Sequence, residues 1–141
     1  MIKSLCILLI FLLTWSCVKN ETLIPVTQTP TQAIIEGKQT ALGSFSPAVH
    51  SVSGTVKLIA DKNDSNKKYL SFENFKTDEG PGLYIYLAED KSNSNFTSVA
   101  KLTKTGTFTL EVPSEAMLDK QKYVLVWCQP YSVLFGSAKL E

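Results

Sequence analysis

From Gly43 onward, apolar residues recur at every second position in short runs, each closed by a polar or Gly/Pro cluster. Val56, Leu58 and Ala60 alternate with Thr55, Lys57 and Ile59, up to Asp61-Lys62-Asn63-Asp64-Ser65-Asn66. Tyr69 to Phe75 follows, closed by Asp78-Glu79-Gly80-Pro81-Gly82; Leu83 to Leu87 is closed by Glu89 to Asn95. Phe108, Leu110 and Val112 then alternate with Thr107, Thr109 and Glu111, and the runs Tyr123–Cys128 and Tyr131–Phe135 come last. A period of two is the signature of a strand with two unlike faces. Short strands with turn clusters between them predict an all-β domain, an antiparallel sandwich or barrel of roughly 7–9 short strands. Ser114 to Lys120 is the one stretch that reads as a helical turn.

The N-terminal part is patterned differently. Lys3 precedes an unbroken apolar run from Leu5 to Leu13. That run is too short to span a bilayer, which takes about 20 apolar residues, and it has the shape of a secretory leader. Leu13-Thr14-Trp15-Ser16-Cys17 resembles a loose bacterial lipoprotein box, in which Cys17 would become the lipid-modified first residue. Acyl chains on Cys17 would anchor the protein to a membrane, since each buried methylene contributes roughly 0.8 kcal/mol. Residues 18–42, rich in Thr, Gln and Pro, lack either periodicity and read as an extended tether. The expected partition is residues 1–16 as leader, 17–42 as lipid-anchored linker and 43–141 as β domain, exported and held on a membrane of the bacterial cell envelope.

Charge narrows the partners. All 14 basic residues are Lys, against 13 acids; without Lys3 the mature chain is neutral. A nucleic-acid binder needs a basic face, so nucleic acid is excluded as a partner. One His and three Cys cannot build a multi-His cage or a zinc ribbon.

Cysteine arithmetic gives the sharpest lead. Cys6 leaves with the leader and Cys17 takes the lipid, so Cys128 stands alone in the mature chain. An unpaired Cys in an exported protein is either a small buried hydrophobe or a reactive thiol or ligand. Alternation puts Cys128 on the face of Val124 and Val126, with Trp127 on the other, and Gln129-Pro130 ends the strand immediately. Its candidate partners are His50 as a neighbouring base or cation and Met117 as a soft ligand. A haem attachment motif C-x-x-C-H is absent. Asp61 to Asn66 has oxygen donors at alternate positions but lacks the glycine and the final acid of a calcium loop, so it reads as a hairpin loop. Tyr84 and Tyr86, and likewise Tyr131 and Phe135, are expected to share a face.

Three blocks of the chain carry a resemblance. His50-Ser51-Val52-Ser53-Gly54-Thr55-Val56, the stretch from Leu70 to Leu87, and above all Trp127-Cys128-Gln129-Pro130-Tyr131-Ser132-Val133-Leu134-Phe135-Gly136-Ser137-Ala138-Lys139-Leu140 resemble the DM13 domain. The likeness runs from about Gly43 to the C-terminus; Gly82 stands where many members carry an acid. It implies a mostly β fold, at times on cell-envelope lipoproteins, and electron transfer through a cysteine that maps onto Cys128. That thiol would act bare or by holding a prosthetic group such as haem, with a redox or envelope protein as partner. No independent enzymatic activity is expected. The contrasting reading is a non-catalytic ligand-binding or adhesion module of the envelope in which Cys128 merely packs.

Overall fold

The computed structural model describes residues 36–141. Cys6, Cys17, the expected leader and residues 17–35 of the expected linker lie outside the described residues. Among the described residues the alternation becomes nine strands: β1 Gly37–Ser44, β2 Ser46–Pro47, β3 Val52–Asp61, β4 Lys68–Thr77, β5 Leu83–Ala88, β6 Thr97–Lys101, β7 Gly106–Glu111, β8 Tyr123–Cys128 and β9 Val133–Lys139. They form two antiparallel sheets, ordered β1-β3-β4-β7 and β2-β9-β8-β5-β6. The all-β expectation holds, and of its two forms the sandwich is the one realised.

One boundary differs from the sequence reading. Residues 37–42, expected to close the linker, are the first part of β1, which pairs with β3 from Gly37↔Asp61 to Ser44↔Thr55. Their polar composition suits an edge strand that is exposed along most of its length. Ser114 to Lys120, read as a helical turn, extends to no helix. It holds turns closed by Ala116 N–H to Pro113 C=O and by Lys120 and Gln121 N–H to Met117 C=O.

The core forms where the alternation is re-phased. The β3–β4 ladder slips between Ser53 and Thr55, at Gly54 with φ 108°, and the β4–β7 ladder slips between Phe72 and Phe75, around Asn74 with φ 50°. The two irregularities face each other: a Cβ on Gly54 would lie 2.7 Å from Phe75 Cα, so only glycine fits. The extra residue lies in β4, so Phe72 and Phe75, three apart, both point inward, against Val52 and Val56, which share that face by plain alternation. Phe45, Phe72, Phe75 and Phe108 form one ring cluster, with Phe72 stacked on Phe108 at 4.6 Å and Phe45 set edge-on to Phe75 at 5.1 Å. Truncating one of these buried rings to Ala costs about 3–5 kcal/mol.

The outer faces contrast. On the four-stranded sheet Lys57 Nζ meets Glu73 Oε1 at 2.5 Å. The five-stranded sheet instead carries a second apolar layer in which Tyr84, Tyr123, Trp127 and Leu134 pack on Tyr86, Ala88 and Leu125. Tyr86 also stacks on the exposed Phe96 at 4.5 Å. Burial, and then the neighbouring Tyr84, push the Tyr86 phenol above its ordinary value. The strand β8 is therefore covered on both faces, as its unbroken apolar run implies. At the sheet edge Leu42 and Glu141 exchange both backbone hydrogen bonds, at 2.9 and 3.0 Å.

Candidate functional site

Cys128 is the last residue of β8, in register with Leu83 on one side and Val133 on the other. Strand alternation turns its side chain inward with Val124 and Val126, and 1% of it is exposed. Gln129 to Ser132 then reverse the chain into β9, helped by Ser132 at φ 52°. This turn puts Tyr131 out in solvent, 70% exposed, while Phe135 lies in the core. The two rings do not share a face, because the turn breaks the alternation between them.

The thiol is roofed by the connection from β4 to β5. Cys128 Sγ donates a hydrogen bond to the Pro81 carbonyl at 3.2 Å. Residues Asp78 to Gly82 cross there from one sheet to the other. Gly80 is seated so closely that an added Cβ would lie 2.7 Å from Phe135 Cζ and 3.1 Å from Leu83 Cδ2. Gly82 takes φ 65° and accepts a hydrogen bond from Gln129 N–H at 3.1 Å. That conformation costs glycine nothing, and among other residues Asp and Asn tolerate it best. The far end is tied by Asp78, whose N–H donates to Ser51 C=O at 3.0 Å and whose carboxylate accepts from Ser51 N–H at 2.9 Å.

His50 joins this region from the other side. Its ring lies on Phe135 with centroids 3.9 Å apart, and Nδ1 is 3.8 Å from Asp78 Oδ2. His50 and Cys128 thus flank the same connection, and the hydrogen bond that His50 would need to act as the base for the thiol is not made: the thiol's partner is a carbonyl. Two open clefts, of about 360 and 350 Å³, border the connection. Both are walled by Thr77 and Asp78, and the second reaches Gly80 and Leu83. Thr77 Oγ1 is buried at their boundary without a hydrogen-bond partner among the described residues.

The other sequence-level candidates do not assemble. No group of three or more His, Cys, Asp or Glu is placed to hold a metal among the described residues. Met117 is exposed on the turns before β8. Asp61 Oδ1 accepts from Asn63 and Asp64 N–H at 2.7 and 3.0 Å, which makes it a turn-closing carboxylate of the β3–β4 loop. A haem does not fit at Cys128. The sulfur is packed in the core with a carbonyl at hydrogen-bonding distance, and neither cleft is lined by it.

Two features here escaped the sequence reading. The capping carbonyl of Pro81 carries no side-chain signature, although Gly-Pro-Gly marks a turn. Asp78 reads as one acid of a turn cluster, and its role as a tie to Ser51 depends on a pairing distant in sequence.

The family model described as "Electron transfer DM13" matches residues 44–140. No curated protein matches the chain. No solved structure matches it.

Proposed function

Because the chain belongs to the electron-transfer DM13 family, we propose that it is a cell-envelope electron-transfer domain, carried on lipid at Cys17, whose reacting group is the Cys128 thiol. The observation that carries this reading is the seat of Cys128. Within the matched segment it is the one cysteine, placed at the end of β8 and bonded to the carbonyl of the exposed Pro81. The chemistry is that of a bare thiol exchanging with a small external disulfide. The Cys128 thiolate attacks one sulfur, the external S–S bond breaks as the mixed disulfide forms, and the other half leaves as a thiol carrying the proton that Cys128 lost; the disulfide is the two-electron oxidant. A thiolate is the attacking species in such exchange, so the sulfur must first lose its proton.

The test is incubation of the full chain in glutathione buffers of graded poise, read at the Cys128 peptide by mass spectrometry, with a visible spectrum beside it. The expected result is a colourless protein that forms a reversible mixed disulfide at Cys128 under native conditions. A visible band that disappears in Cys128→Ser would replace the bare thiol by a bound chromophore. A colourless protein without native mixed disulfide would overturn the redox role. The near-complete burial of the sulfur favours that second reading, a tethered binding module in which Cys128 packs.

A further inference from the structure

A thiol that reacts must be reached, and the closed sandwich leaves no path to this one. What stands in the way is small. Between the Asp78–Ser51 bonds and the Gly82–Gln129 bond, Glu79 and Gly80 make no backbone hydrogen bond among the described residues. Asp78, Glu79 and Pro81 are exposed, and Gly80 has no side chain to hold it against Phe135 and Leu83. The Asp78 ties themselves are solvent-facing, where hydrogen bonds exchange with water at modest net cost. The floor beneath is different: Val124, Val126 and Leu83 are buried in the core, and Cys128 is held by ladders on both sides. Segments with few buried contacts and exposed hydrogen bonds open at free energies far below that of global unfolding.

The Pro81 carbonyl adds a chemical reason for movement. Its contact with Cys128 needs the proton on sulfur. A deprotonated sulfur would face the lone pairs of a carbonyl oxygen, so the attacking species and the closed roof are mutually exclusive. Access and activation therefore require the same displacement.

We propose that Asp78–Gly82 is a gate that lifts off Cys128 while the sandwich stays folded, admitting a small thiol or disulfide from the cleft walled by Gly80 and Leu83. The latch is the Asp78–Ser51 pair; the hinge is Gly82, held by Gln129 and set against Pro130. This rests on Cys128 as the reacting group, but alkylation measures access alone. A gate without redox exchange, and exchange without a gate, are thus separable outcomes.

The experiment is alkylation of the full chain by iodoacetamide, in which an S–C bond forms and iodide leaves. It is followed at the Cys128 peptide for the wild type, Asp78→Ala and Val56→Ala. Val56 is fully buried away from the connection and serves to destabilise the whole fold. The expected result is a native rate insensitive to urea below the unfolding transition, unchanged by Val56→Ala, and raised roughly tenfold by Asp78→Ala through loss of bonds to the carboxylate. A rate that climbs with urea as steeply as unfolding does, and that rises roughly tenfold or more with Val56→Ala, would overturn the gate. Should Asp78→Ala fail to fold, the urea slope and the Val56→Ala rate still decide.

Discussion

The two ends of β8 each bury a polar side chain and hold it by opposite means. Just before the strand, Gln121 is 1% exposed and fully engaged. Its Oε1 accepts from Met117 N–H at 3.0 Å and lies 3.1 Å from the Thr97 hydroxyl, and its Nε2 donates to Asn95 C=O at 2.6 Å and to Thr97 Oγ1 at 3.0 Å. At the strand's end Cys128 is as deeply buried and has one bond, to the carbonyl of an exposed turn. The amide fixes three segments to one another, while the thiol is only covered. A buried amide left without partners is costly, so the glutamine has to be locked in a complete network. A thiol is a weak donor that packs as a small hydrophobe, which is what allows its single partner to leave.

The comparison breaks first at Gln121. Gln121→Leu keeps the volume and strands Asn95 C=O and Met117 N–H, so urea unfolding should show a loss of about 3 kcal/mol. A loss under 1 kcal/mol would mean that the network is dispensable and that the two ends are alike. Cys128→Ala removes one sulfur from a packed site, and the same measurement should register only about 1 kcal/mol. The smallest effect concerns the turn that leads to Asn95. Asp90 accepts from Ser94 and Ser92 N–H, and these bonds, those from Ser94 foremost, hold its carboxyl below the ordinary 3.8. A depressed acid stabilises the fold above its unfolded value and stops doing so as pH falls through the folded one. The Ser92 and Ser94 amide resonances should therefore titrate together with a midpoint below 3.8, and a higher midpoint would dissolve the turn's link to the glutamine network.

Much of the fold was legible because strand alternation is a local property. Val56 and Leu58, or Phe108 with its neighbours, announce their faces within a few residues. The slips at Gly54 and Asn74 were not legible, since each is defined by the partner strand it opposes. β1 was hidden because an exposed edge strand needs little apolar content. Of the site, Cys128 and its place at the strand end came directly from Trp-Cys-Gln-Pro. Its roof did not: a backbone carbonyl has no letter of its own. His50 was a reasonable partner for the thiol by elimination, yet the ring rests on Phe135, a contact that depends on how the two sheets meet.

The exchange of hydrogen bonds between Leu42 and Glu141 has a consequence in time. β1 joins its own sheet through β3, which is made soon after it, but its tie to Glu141 spans nearly every described residue. Closing so long a loop carries a high entropy cost, and pairings between distant segments slow folding. During synthesis the early strands can therefore pair among themselves while the seam along β1 stays open. It zips only once Glu141 itself has been made and has cleared the ribosome, so the order of translation sets the moment at which this edge is sealed.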